Sequence, residues 1–450
     1  MFRFWESIGN SEQSALLTQA ESIDLELVSG LAAGQLTATA AENVRKREPI
    51  DVLRLDEDPT TCSRDDAVDR GETLLRAGKV GVFLVAGGQG SRLGFSGPKG
   101  CLRVGPLSGR TLFELHAGKI HRLSLKHGVT VPWYIMTGPQ NDTATRDFFA
   151  THDFFGLDQR SVFFMPQSTL PGLDDDGRLI LETKSRVFEN PDGHGGSYSA
   201  FRDHGGLDDA VKRGIEHVFY FQVDNPLVRI ADPLFIGLHD LSGSEMSLKV
   251  VDKTDPEEKV GVVALEDGVP KVVEYSNLSE EEAHRRDGRG RLVYWAGNIA
   301  IHVLRVDFMS RVARGEIRLP YHVARKDIEC VDDRGQSQTV KGRKFETFVF
   351  DALPTAENVL SLEVAREREF GPIKNRSGVD SLETAQKLLI DEHRRWLADA
   401  GVKPEGRVEV SPRAALDERD LAGSLEKQRG TTLRGDVRIE VDKAGKIVLQ

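Results

Sequence analysis

The sequence predicts an α/β fold: a mixed, mostly parallel sheet with helices on both faces. Three observations lead to it. From Val80 onward, apolar runs of strand length alternate with amphipathic runs of helix length. The run Val80–Ala86 is continuously apolar, as in a strand covered on both faces. It stops at Gly87-Gly88, which puts a glycine loop at the C-terminal end of a strand, where ligands of such sheets bind.

Taken in order, residues 11 to about 48 read as helical, with Leu16, Leu17, Ile23, Leu25, Leu27, Val28 and Leu31 among many helix formers. A charged stretch, Arg54 to Arg70, follows, and residues 1–75 are expected to form a helical N-terminal lobe. The main α/β domain is expected over 76–375. Its candidate strands are Val80–Ala86, Val131–Thr137, Ser161–Met165, His217–Val223, Met246–Val251, Val260–Leu265 and Val293–His302. Its candidate helices are Thr111–His127, Thr143–His152 and Leu207–Gly214. A last helix, Ser381–Ala400, has Ser381 and Thr384 at its start, an apolar stripe through Leu388, Leu389 and Trp396, and Gly401 at its stop. Three short β-like runs follow, Val408–Val410, Val437–Val441 and Ile447–Leu449. Residues 376–450 thus read as a C-terminal helix with a small β appendage.

The 450-residue chain is long enough for two or three domains. A net charge of −11 argues against a broad nucleic-acid surface, so any bound polyanion must meet local cations. No apolar run reaches the roughly 20 residues that span a bilayer, and the start MFRFWESIGNSEQ lacks an apolar signal core. Cys62, Cys101 and Cys330 are scattered and form no CxxC pair. A cytoplasmic protein with no membrane or nucleic-acid partner is expected.

Chemistry concentrates in four segments. In VGVFLVAGGQGSRLGFSGPKG, glycines bring backbone N–H groups close to a ligand, and Arg92 and Lys99 add charge. The alternative there is a strand-to-helix turn with two solvated cations. The loop is neither G-x-x-x-x-G-K-[ST] nor G-x-G-x-x-G, since Lys99 precedes Gly100 and Leu93 stands at the last glycine position. In FFMPQSTLP, Gln167 follows a strand between two prolines and can read a base edge. In NPDGHGGSY, three glycines surround His194, which alone would more often be structural. In VFYFQVDNP, Asp224 ends a strand, where a carboxylate suits Mg²⁺ or merely closes an Asx-turn. Glu274-Tyr275-Ser276, Gly297-Asn298 and Lys374-Asn375 are polar clusters beside apolar runs.

The glycine loop resembles the sugar nucleotidyltransferase signature L-x-x-G-G-x-G-[ST]-R-[LM]-G-x-x-x-P-K through Leu84, Gly87, Gly88, Gly90, Ser91, Arg92, Leu93, Gly94, Pro98 and Lys99. With PQSTLP, DDDGRLILETK, PDGHGG, QVDNPL, VEYS, GNIAIH, PYHVARK, KFETFVFD and FGPIKN in order, Val80 to Lys374 resembles the eukaryotic-type UDP-sugar pyrophosphorylases, most closely those for UDP-N-acetylglucosamine. The resemblance implies a Rossmann-like, GT-A-like nucleotidyltransferase domain that makes a UDP-sugar and pyrophosphate from UTP and a sugar 1-phosphate with Mg²⁺. It implies that Gly87, Gly88, Gln89, Gly90, Ser91 and Arg92 embrace the UTP phosphates, with Lys99 neutralising them. Gln167 and Gly193 would contact uracil, and His194 would lie near nucleoside and sugar. Asp224 would hold Mg²⁺, while Glu274, Asn298, Phe348 and Phe350 would line the sugar pocket and Lys374 would contact the phosphates. Arg92, Lys99 and Lys374 are the expected catalytic residues.

One departure concerns the sugar. The acetylglucosamine enzymes usually carry P-D-G-N-G, with asparagine where this chain has His194, and G-H-G is more like the UDP-glucose and broad-specificity enzymes. GGQGSRLG and KFETFVFD favour N-acetylglucosamine 1-phosphate, and glucose 1-phosphate or a broad range stays open. Two other classes are weighed against the enzyme. A dehydrogenase shares the sheet class but is disfavoured by Leu93. A non-catalytic nucleotide-binding paralogue would be expected to lack Lys99, Asp224 or Lys374, and all three are present.

Overall fold

A computed structural model of the chain describes residues 1–37, 46–60, 62–442 and 444–450. A ten-stranded mixed sheet organises the molecule. In chain order its strands are β1 (Arg47–Pro49), β2 (Val80–Val85), β3 (Trp133–Thr137), β4 (Val162–Pro166), β5 (His217–Gln222), β6 (Met246–Asp252), β7 (Val262–Glu266), β8 (Val269–Val273) and β9 (Ala296–Arg305). An outlying hairpin, β10 (His322–Val331) and β11 (Ser337–Glu346), precedes the last sheet strand, β12 (Leu360–Glu363). The main path runs β1-β7-β9-β5-β2-β3-β4, with β8 on β7, β6 on β9 and β12 on β6. Strands β5, β2, β3 and β4 are mutually parallel, and β9 runs against β5.

The continuous apolar character of β2 has its cause here: Val82, Phe83 and Leu84 are completely buried, with layers on both sides. On one face Phe83 stacks on Tyr220 at 5.5 Å between ring centres and meets Phe201 edge-on at 5.8 Å. On the other, Phe113 meets Phe149 edge-on at 5.0 Å under helix Leu112–His127. That helix starts where a capping box of Thr111 and Glu114 satisfies its first amides.

The expected helix over 11–48 is corrected in three places. It is two helices, Asn10–Ser22 and Leu25–Ala32, because Ile23 turns extended and Asp24 caps the second. It ends before Gly34, which takes φ +72°, and Arg47–Pro49 is a strand paired antiparallel to β7. Arg47 is held there by Glu266 and Glu282 at 3.1 and 2.9 Å. The part of that expectation over 38–45 lies outside the described residues. Helix Arg64–Arg76, capped by Ser63 and Asp66, occupies much of the charged stretch before the glycine loop. The two N-terminal helices bury Leu16, Val28 and Leu31 against Leu170, Leu173, Leu181, Val187 and Phe345.

The last helix, Leu382–Asp399, packs Trp396 and Leu397 against Val408, Val410, Leu421 and Ile439 of a small β-containing unit. Strands Val408–Val410, Val437–Val441 and Ile447–Leu449 form its sheet. It is tied to the main body by Arg122 with Asp420 and by Arg110 with Glu440 at 2.8 Å. The β10–β11 hairpin carried no clear sequence signal because few of its residues are fully buried, chiefly Ile328, Cys330 and Phe345, which leaves no sustained apolar alternation. Among the described residues no helix is long and apolar enough to cross a membrane.

Candidate active site

The glycine loop closes on itself through two backbone bonds. Gly90 N–H donates to the Gly97 carbonyl at 3.0 Å, and Lys99 N–H donates to the Gly88 carbonyl at 3.1 Å. This leaves the N–H groups of Gly88 and Gln89 without a protein acceptor among the described residues. Asn141, which is buried, fastens the loop to the turn after β3. Its Nδ2 donates to the carbonyls of Ala86 and Gly88 at 2.9 and 3.3 Å, and its Oδ1 accepts from Gly138 N–H at 2.7 Å. Arg92 is exposed and has no ion pair among the described residues.

Two neighbouring cavities receive most of the expected residues. A cleft of about 880 Å³ is lined by Gly88, Gln89, Ser91, Arg92, Lys99 and Lys374. A smaller cavity of about 170 Å³ is lined by His194, Asp224, Glu274, Asn298, Phe350 and Lys374. Lys259, Val260, Phe370 and Lys374 belong to both walls, so the cavities meet there. Gly87, Gly90, Gln167, Gly193 and Phe348 line neither of these two cavities. A third cavity, more enclosed and more apolar, is lined by Leu115, Leu227 and Trp396 and contains none of these residues.

Lys374 reaches the site across about 150 residues of chain because the turn after β5 is stapled to the segment that carries it. Asn225 Nδ2 donates to the Glu369 carbonyl at 2.7 Å, Asn225 Oδ1 accepts from Gly371 N–H at 3.1 Å, and Ile373 N–H donates to the Asp224 carbonyl at 3.0 Å. Beneath, the completely buried Lys249 is balanced by Asp232 at 2.7 Å and Glu369 at 2.6 Å. Lys119 braces the same turn by donating to the carbonyls of Pro226 and Val228 at 2.6 and 2.8 Å. Burial pushes its ammonium down to about 7.

Asp224 forms an ion pair with Lys99 at 3.1 Å. Among the described residues no three acidic, histidine or cysteine side chains converge as a metal cage. A single hard carboxylate beside a phosphate-sized cleft still suits Mg²⁺, which keeps most of its coordination for water and phosphate oxygens. Asp224 would supply that one protein ligand.

Next to the glycine loop, Gln167 is buried, and its Nε2 donates to Asp192 Oδ1 at 2.9 Å and to the Gly193 carbonyl. Gly193 takes φ +86°, and a Cβ there would sit 2.3 Å from the Thr347 carbonyl oxygen, so only glycine fits. His194 Nδ1 accepts from Val349 N–H at 3.1 Å, which leaves the proton on Nε2. Its ring stacks on Phe348 at 5.1 Å and meets Phe350 at 5.4 Å. Burial, with His322 as the second cause, pushes His194 down to about 4, so the ring is neutral. Burial also raises the Glu274 carboxyl above its ordinary value. Asn298 sits where β9 bulges against β6; Ala300 takes φ +55° and donates its N–H to Asn298 Oδ1 at 3.2 Å.

The residues that sequence reasoning missed are Asn141, Lys119, Asp192 and Lys259. Asp192 lay within the P-D-G-H-G segment, and Asn141 within a G-P-Q-N-D turn, so both had a local signal. Lys119 and Lys259 had none, since neither stands in a glycine-dense turn or at the end of a recognisable motif.

Comparisons with known proteins identify the family of the chain. The family described as UTP–glucose-1-phosphate uridylyltransferase matches residues 33–419. A human protein named UDP-N-acetylhexosamine pyrophosphorylase-like protein 1 is 41% identical over 425 residues, covering 90% of this chain and 83% of its own length. UDP-N-acetylglucosamine diphosphorylase 2 of Arabidopsis thaliana is 37% identical, covering 89% and 82%. Among solved structures, the uridine diphosphate N-acetylglucosamine pyrophosphorylase of Trypanosoma brucei in complex with an inhibitor superimposes with a TM-score of 0.82. It is 26% identical and covers 95% of this chain and 94% of its own.

Proposed function

The chain belongs to the UTP–glucose-1-phosphate uridylyltransferase family, and on that premise we propose that it joins UTP to N-acetylglucosamine 1-phosphate, releasing pyrophosphate. The observation that carries this reading is the meeting of the glycine-loop cleft and the smaller polar cavity at Lys374, beside Asp224 and Lys99. The cleft would take the triphosphate and the smaller cavity the sugar phosphate, so the two reacting phosphates would face each other at Lys374.

A phosphate oxygen of the sugar 1-phosphate attacks the α-phosphorus of UTP. The new P–O bond forms as the bond to the β-phosphate oxygen breaks, and pyrophosphate carries away the electron pair. The nucleophile is already anionic, so no general base is needed. The obstacle is repulsion between two polyanions. Free amides of Gly88 and Gln89, with Arg92, Lys99 and Lys374, would hold both in line and take up the charge that builds on the transferring phosphoryl group. Asp224 would hold Mg²⁺, which when bound neutralises phosphate charge. Gly87, Gly90 and Ser91 would complete the phosphate cradle, while Gln167 and Gly193 would read uracil. His194, Glu274, Asn298, Phe348 and Phe350 would shape the sugar pocket. Three unpaired cysteines suit a reducing compartment, and we place the protein in the cytoplasm.

Glucose 1-phosphate is the second reading, and His194 is the observation that favours it. Incubation with UTP, Mg²⁺ and a panel of sugar 1-phosphates tests both. N-acetylglucosamine 1-phosphate is expected to release pyrophosphate fastest. Silence with every sugar would overturn the enzyme reading, and a preference for glucose 1-phosphate would move the assignment to the second.

A further inference from the structure

Gln167 alone does not determine which base it accepts, because its amide offers a donor on one side and an acceptor on the other. The surroundings decide which side faces out. Two groups that can only accept, the Asp192 carboxylate and the Gly193 carbonyl, lie against the same amide end. Both require a donor, so the nitrogen is turned inward. Gln167 Oε1 is thereby left over the first residue of the glycine loop, 3.2 Å from where a Cβ on Gly87 would stand.

Asp192 is itself rigidly seated. Its N–H donates to the Ser168 carbonyl at 3.1 Å, and its carbonyl accepts from Thr347 N–H at 2.7 Å and Thr347 Oγ1 at 3.1 Å. Its carboxylate lies so close over Gly196 that a Cβ there would meet Oδ1 at 2.1 Å. A buried carboxylate is costly unless it is bonded, and Gln167 is its only side-chain donor among the described residues. Flipping the amide would set oxygen against two acceptors and leave that carboxylate bare.

We propose that Asp192 is a positioning residue that, with the Gly193 carbonyl, locks the Gln167 amide so that only its oxygen faces the nucleotide. The lock makes the site demand a ring N–H from the base. Uracil has one at N3, and cytosine carries a lone pair at the same position. The inference rests on the nucleotide reading above and goes beyond it by assigning base discrimination to a residue behind the one that touches the base.

The test uses the full chain with Mg²⁺ and no sugar, at about pH 8, where the Asp192 carboxyl, pushed up to about 7 by burial, is ionised. Calorimetry compares UTP, CTP and 3-methyl-UTP on wild type and on Asp192→Asn. Wild type is expected to bind UTP at least tenfold more tightly than either analogue, on the order set by an unpaired buried polar group. In Asp192→Asn the neutral amide can donate to Gln167 as well as accept from it, and the preference for UTP over CTP is expected to shrink by about tenfold. Equal wild-type binding of UTP and 3-methyl-UTP would overturn the proposal. A folded Asp192→Asn with an unchanged UTP-to-CTP ratio would overturn it too. If circular dichroism shows Asp192→Asn unfolded, the wild-type analogue series decides alone. Failure of pyrophosphate release with every sugar would instead strike the transferase reading, since these affinities are read without turnover.

Discussion

On the side proposed to hold the phosphates, Arg92 and Lys374 are exposed and carry no ion pair among the described residues, whereas on the side proposed to hold the base Gln167 and Asp192 are buried and bonded to each other. His194, on that same side, is stacked on Phe348 and bonded to Val349. Under the proposed function, the contrast follows from what each side would bind. A triphosphate brings its own charge, so cations that meet it can wait in water, where they cost little. A base is neutral and is told from its rivals only by the direction of one or two hydrogen bonds. Those groups must be fixed in advance, because a side chain free to rotate would accept either pattern. Lys99 lies between the two extremes, half-buried and held by Asp224 at 3.1 Å. A polyanion entering the cleft competes with Asp224 for it.

Lys99→Ala is expected to have the largest effect on catalysis, lowering turnover by about 100-fold or more with the fold intact. Near-normal turnover would remove Lys99 from the mechanism and break the division between the two sides.

Gly193→Ala attacks the fixed side instead. Its φ of +86° and the 2.3 Å approach to the Thr347 carbonyl predict a loss of about 1–3 kcal/mol in stability, read as a urea midpoint. An unchanged midpoint would show that this segment yields easily and is not preorganised.

His194→Asn should shift the preference toward N-acetylglucosamine 1-phosphate over glucose 1-phosphate by several-fold, within the range of one altered pocket contact. An unchanged ratio of kcat/KM values would show that His194 does not select the sugar.

A further prediction is a pH dependence of stability. Burial raises Asp192 from 3.8 to about 7, so ionisation is disfavoured in the folded state. Wild type should therefore lose stability relative to Asp192→Asn as pH rises from about 4 to about 7. Urea midpoints of the two proteins that run parallel across that window would show that the carboxylate is better solvated than its surroundings indicate.

Much of this was legible in the sequence, for local reasons. Val80–Val85 announced itself by a continuous apolar run, and the loop after it by glycines whose spacing with Arg92 and Lys99 spans a dozen residues. Asp224 at the end of β5 and the helix Leu382–Asp399 were legible in the same way, through periodicity and caps. The hairpin β10–β11 was not, because a ribbon with so few fully buried positions shows no sustained apolar alternation.

What the sequence by itself determined is where the chain can take up a phosphate loop, a strand end with a carboxylate and a glycine-dense turn, since steric limits and side-chain period act over a few residues. Tertiary structure alone decided that Lys99 pairs with Asp224 across 125 residues, that Asn225 and Asp224 draw the Lys374 segment into the cleft, and that Asp192 turns Gln167. Those contacts depend on the order and direction of strands in the sheet, which bring distant segments within hydrogen-bond reach. No local rule encodes which lysine, of the many in the chain, arrives there.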